Sequence, residues 1–133
     1  MFLHLPTRGN DDFRVQLELI KYYHPDGQGG TTFQFFESQG TISTKTSPEE
    51  FDRLLLPKHF IRLITVEQGD YRLNLKLVKY FHPGGPGKTT FTFLDFSPVT
   101  VTRDIKEIDN LLLLKEEKTD VVVSQPRRAE SKV

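Results

Sequence analysis

Residues 13–37 read FRVQLELIKYYHPDGQGGTTFQFFE, and residues 71–95 read YRLNLKLVKYFHPGGPGKTTFTFLD. The two stretches align without a gap at an offset of 58, with 13 of the 25 positions identical. Among the identities are Arg14/Arg72, Lys21/Lys79, Tyr22/Tyr80, His24/His82, Thr32/Thr90 and Phe33/Phe91. A repeat at such a period is the first thing to settle in a sequence, because it dictates how the rest is divided. The offset extends outward: Phe2-Leu-His-Leu falls on Phe60-Ile-Arg-Leu, Gly40-Thr-Ile-Ser-Thr-Lys on Pro98-Val-Thr-Val-Thr-Arg, and Leu54-Leu-Leu on Leu112-Leu-Leu. The chain therefore divides into units 1–57 and 58–115, followed by residues 116–133.

Within one unit, Val15, Leu17 and Leu19 alternate with Arg14, Gln16 and Glu18. Period-two alternation predicts a strand over 13–23 with one buried face. His24-Pro25-Asp26-Gly27 is a turn signal, since Pro presets φ and Gly accepts positive φ. Residues 31–36 and 41–45 read as further strands. Ser47-Pro48-Glu49-Glu50 then opens a helix as cap, first-turn proline and capping-box glutamate, with Phe51, Leu54 and Leu55 as its apolar stripe. Asp104 and Glu107 do the same in the second unit. With leading strands at 2–7 and 60–67, the expected fold is α+β: two tandem ββββα repeats, antiparallel sheets packed with two helices around a common interior. Residues 1–115 read as a single domain, and the polar, charged stretch 116–133 as a disordered tail.

Of the 133 residues, 18 are basic and 18 acidic, so formal net charge is zero. Units 1–57 and 58–115 nevertheless carry −3 (5 basic, 8 acidic) and +3 (9 basic, 6 acidic). A polyanion would meet the second unit. Cysteine is absent, which removes disulfides, thiolate metal sites and cysteine nucleophiles. No signal-like leader or membrane-length apolar run is present. The expectation is a cytoplasmic protein without membrane contact.

Gly85-Pro86-Gly87-Lys88-Thr89-Thr90 resembles a phosphate loop but fails its spacing: the pattern needs Gly where His82 stands, and a helix after the threonine. His24 and His82 recur without a recurring carboxylate beside them, which favours imidazoles bonding the turn backbone over metal ligands. The shared acidic pairs Asp12/Asp70, Glu37/Asp95 and Glu49/Glu107 occupy ordinary positions for solvated carboxylates. No nucleophile–base pair stands out. The expectation is a non-enzyme without cofactor or metal.

If Val15, Leu17 and Leu19 face the helix, Arg14, Ile20 and Tyr22 face away, as do Arg72, Val78 and Tyr80. Lys21 and Lys79 stand at the margin. Such a face suits single-stranded bases stacking on tyrosines beside cations. It equally suits Tyr22 and Tyr80 packing against the other unit or a second chain.

Lys21-Tyr-Tyr-His-Pro-Asp-Gly27, Lys79-Tyr-Phe-His-Pro-Gly-Gly85 and Ser47-Pro-Glu-Glu-Phe51 resemble the single-strand-binding group of Pur, Whirly and positive-cofactor transcription coactivator proteins. The resemblance implies tandem ββββα units and a non-catalytic single-stranded DNA or RNA binder. It would place binding on Arg14, Lys21, Tyr22, Arg72, Lys79, Tyr80 and Lys88, with Lys76 added on charge. The alternative is a protein-interaction or assembly module, forming a dimer or other homo-oligomer, which the exposed β edges would serve.

Overall fold

The computed structural model describes residues 1–7, 11–67 and 69–114. The tail expected at 116–133 lies outside these residues. The first half runs β1 (Phe2–Pro6), β2 (Asp12–Gln16), β3 (Ile20–Pro25), β4 (Thr31–Phe35), β5 (Thr41–Thr44) and α1 (Pro48–Leu55). The second runs β6 (Phe60–Thr65), β7 (Gly69–Asn74), β8 (Val78–Pro83), β9 (Thr89–Phe93), β10 (Pro98–Val101) and α2 (Ile105–Leu112). The fold is mostly β-sheet with two short helices, consistent with α+β.

Eight strands form one antiparallel sheet in the order β5-β4-β3-β7-β6-β10-β9-β8, while β1 and β2 pair separately. An isolated bridge, Thr7↔Thr44, joins the end of β1 to β5. Strand β2 therefore closes one end of the assembly and β8 the other. The two halves meet along β3·β7, where Tyr22 opposes Leu73 and Tyr23 opposes Arg72.

Each half carries five strands rather than the expected four, because the strand read over 13–23 is interrupted. Leu17–Leu19 and Leu75–Leu77 form single 3-10 turns, closed by the amides of Ile20 and Val78 on the carbonyls of Leu17 and Leu75. In the second half the Asn74 side chain caps the turn through the Lys76 amide and also donates to the Ile20 carbonyl. The turn changes the phase of alternation. Ile20 becomes fully buried while Leu19 is left exposed, reversing the facing expected from periodicity. Lys21 and Lys79 then fall where the register shifts against β4 and β9, as in a bulge, which re-aims a side chain.

The β3–β4 hairpin closes through Asp26, whose carboxylate accepts from the Gln28 and Gly30 amides. Gly27 and Gly29 adopt φ of 82° and 85°, the left-handed region that glycine enters without steric cost. Element bounds recur 58 residues apart from β3/β8 through β4/β9. Beyond that the separation is 57, for β5/β10 and α1/α2. The change arises in the turn after β4 and β9, five residues long at 36–40 and four at 94–97.

The interior also differs from expectation. Instead of one shared core there are two clusters. Leu5, Ile20, Tyr23, Phe33, Phe51, Leu55 and Phe60 pack around α1. Leu63, Tyr71, Leu73, Phe91, Phe93, Val101 and Ile108 pack around α2. Phe60 crosses from the second half into the first cluster, and Tyr22 packs on the second cluster from the first half.

Candidate nucleic-acid interface

The eight side chains expected to bind nucleic acid do not share one face. Arg72 is fully buried beside the seam. Its Nε and Nη2 donate to the two carboxylate oxygens of Asp52, both at 2.9 Å, and Nη1 donates to the Asp70 carbonyl at 3.0 Å. The Tyr23 hydroxyl donates to the same Asp52 at 2.8 Å. Burial, then that hydrogen bond, push the Tyr23 hydroxyl far above its usual range. A two-pronged guanidinium–carboxylate contact of this kind is a strong, directional one. Fully buried, Arg72 is out of reach of an external phosphate.

Lys21 is likewise interior, at 5% exposure. Its ammonium donates to Asp95 at 3.1 Å and to the Ser97 hydroxyl at 2.7 Å. Asp95 also accepts from the Glu37 amide across the seam and from the Ser97 amide and hydroxyl. Burial would raise the Asp95 carboxyl. The Ser97 and Glu37 hydrogen bonds and Lys21 outweigh it, holding the group well below the ordinary carboxylate range. Asp95 is thus a structural anion rather than a solvated one. Tyr22 is half-buried, stacked on Tyr71 with ring centroids 4.7 Å apart. Tyr22 thus packs on the other half rather than standing open on the sheet face.

Arg14 is exposed on β2, bonded to the Asp12 carbonyl and carboxylate. It lies at the end of the strand order opposite β8. The remaining residues lie on β8 or in the segments flanking its two ends, Lys76 in a cavity with Met1 and Glu18 and Lys88 in another with Tyr22 and Glu67. Lys79 and Tyr80 lie on β8, Lys76 in the turn before it and Lys88 in the hairpin after it, all exposed. Phe96, at φ 69° and 68% exposed, carries the Lys79 ammonium 4.5 Å from its ring centroid. Strand β8 and its flanking turns present three cations and two accessible aromatic rings, and among the described residues one side of β8 has no paired strand. Cations can neutralise phosphates, and aromatic faces can stack on bases. His24 and His82 each approach the following proline carbonyl through Nδ1 at 2.8 Å. Among the described residues no group of three His, Cys, Asp or Glu side chains could hold a metal ion.

Behind β8, a groove of about 580 Å³ runs between the strand and α2, lined by Leu75, Val78, Phe81 and Leu112, with Asp109 at its wall. At the corresponding place in the first half, Phe60 and Arg72 occupy the space. Reading the helices at the same offset as the strands concealed this relation. At the observed separation of 57, Asp52 corresponds to Asp109, and that recurrence was the signal available in the sequence.

No described protein family matches the chain, and no curated protein matches it. Among solved structures, the fold is similar to the LytTr DNA-binding domain of a methyl-accepting/DNA response regulator from Bacillus cereus. The TM-score is 0.64 at 19% identity, over 85% of this chain and 97% of that one. This neighbour overturns the resemblance to the Pur, Whirly and coactivator group. In this chain the leading strand is split, so each half holds five strands in place of the four that the resemblance implied. No helix among the described residues is long and apolar enough to cross a membrane.

Proposed function

We infer that this chain is a non-enzymatic DNA-binding protein built from two tandem copies of one unit. The observation that carries the reading is the fold similarity to a LytTr DNA-binding domain over 97% of that domain. The contact surface assigned here is the second half, through Lys76, Lys79, Tyr80 and Lys88. Three observations support that choice: these side chains are exposed, the half carries a formal +3, and Lys21 and Arg72 of the original set are engaged internally. Lysine ammonium groups would neutralise phosphates, and the Tyr80 ring would lie against sugar or base. Lysine–phosphate contacts serve single-stranded and duplex DNA alike, so strand preference is what the experiment reads.

Fluorescence anisotropy with matched single-stranded and duplex oligonucleotides tests this. Affinity should fall as salt rises, with a log–log slope of about −0.9 per neutralised phosphate on duplex or about −0.7 on single strands. Lys79→Ala and Lys88→Ala should each weaken binding and make that slope shallower by about one. Absence of binding to either form at low salt sinks the reading. Binding that both variants retain in full would move the contact surface elsewhere.

A further inference from the structure

We propose that the chain associates head to tail with further copies of itself, the β8 edge of one copy adding to the β2 edge of the next. The template is the seam already inside the molecule. Strand β3 lies against β7, and the repeat places β8 at the position of β3 and β2 at the position of β7. Both of those strands end the pairing order, each with one side unpaired among the described residues. Each half thus has a partner on only one side, and the ends left over are the two complementary to one another.

The side chains at the two ends match the seam pair by pair. Inside the chain, Tyr22 and His24 stack on Tyr71, each with centroids 4.7 Å apart. Tyr80 and His82 would stack on Phe13 of the next copy; Tyr80 is 50% and Phe13 41% exposed. Phe60 packs 5.7 Å from Tyr23. Its counterpart Phe2, 67% exposed, would enter the groove beside Phe81. Arg72 is held by Asp52. Arg14 of the next copy would reach Asp109, which makes no ion pair among the described residues. Lys21 meets Asp95, and Lys79 would meet Glu37 of the next copy. The opposite formal charges of the two halves, −3 at the β2 end and +3 at the β8 end, favour this pairing over either end meeting its own kind. Tyr23 and Ser97 are the exceptions: the Tyr23 hydroxyl that donates to Asp52 has no counterpart on Phe81, and the Ser97 hydroxyl that accepts from Lys21 has none at Gln39 or Gly40, so the intermolecular contact lacks these two seam hydrogen bonds.

Such a contact is heterologous, so it propagates unless the rotation closes a ring. It stands independently of the DNA reading, though it uses the same edge. A bound copy would cover Lys79 and Tyr80, so the experiment is run without DNA. Sedimentation velocity of the full chain over a concentration series should show mass rising above 15.4 kDa. Arg14→Glu and Asp109→Arg should each weaken association on the order of tenfold or more, with unchanged circular dichroism. Mixing the two variants should restore association, because one supplies an intact head and the other an intact tail. A mass fixed at 15.4 kDa up to millimolar concentration overturns the proposal. So does association that Arg14→Glu leaves untouched, which would indicate β8 pairing with β8, or a mixture no better than its components.

Discussion

At the scale of the residue, Arg72 shows how identical letters acquire different roles. Arg14 and Arg72 fall on one another in the two aligned stretches, yet one is in solvent and the other fully buried against Asp52. Removing a charge from water is costly unless a partner and hydrogen bonds compensate. Asp52, the Asp70 carbonyl and the face of Tyr23 supply that compensation. Arg72→Ala should therefore destabilise the fold by about 3–5 kcal/mol, since it leaves the Asp52 carboxylate without its charge partner, with the Tyr23 hydroxyl as its remaining donor. Arg14→Ala, at an exposed pair, should change stability by less than about 1 kcal/mol. Urea unfolding of both variants checks the contrast, and equal losses would refute it.

At the scale of the element, the two helices have the same length but different beginnings. Asp104 caps α2 with a full capping box: its carboxylate accepts from the first-turn amides, and Glu107 returns to the Asp104 amide. Ser47 precedes α1 with suitable backbone angles, but its hydroxyl makes no cap hydrogen bond. There Pro48 presets the first turn, and its missing N–H leaves one fewer unsatisfied amide at the helix start. Asp104→Ala should cost about 1 kcal/mol, and Ser47→Ala markedly less. Thermal melts of the two variants should separate in that order. The positions of both starts were legible beforehand, and so was the capping box of Asp104 and Glu107, but the capping box expected at Ser47 and Glu50 is not formed. The 3-10 turn at Leu17–Leu19 was not legible. Val15, Leu17 and Leu19 have the alternation of a strand, and nothing local distinguishes a continuous strand from one interrupted by a turn. The interruption is stabilised by distant partners, including the Met1 carbonyl that accepts from Leu17 and the Leu19 carbonyl that accepts from Phe36.

At the scale of the whole molecule, Asp95 and the strand pair β3·β7 join the halves. Asp95 receives Lys21 and the Glu37 amide from the first half and Ser97 from its own turn. Its carboxyl is depressed in the folded state, so its contribution to stability is fully present above its unfolded pKa of about 3.9. That contribution is lost progressively as pH falls from there through the depressed native value. Asp95→Asn should be less stable than the parent at neutral pH, and the gap should narrow as pH drops below about 4. Denaturant titrations at neutral pH and between about pH 4 and 2 measure this. A gap that stays constant over the acid range would refute it.

The sequence by itself determined the recurring stretches, the glycine-bearing hairpins, the helix starts and the alternation of apolar residues. These are set within a few residues by backbone sterics, side-chain size and capping hydrogen bonds. Which copy of each repeated residue is buried was decided only by tertiary structure. The one seam between the halves covers β3 and β7, while among the described residues β2 and β8 each keep one side uncovered, so the same Lys, Tyr and Arg meet protein in one half and water in the other. The shorter second turn likewise moved Asp109 into the place of Asp52, a correspondence that emerges when strands and helices are set side by side in space.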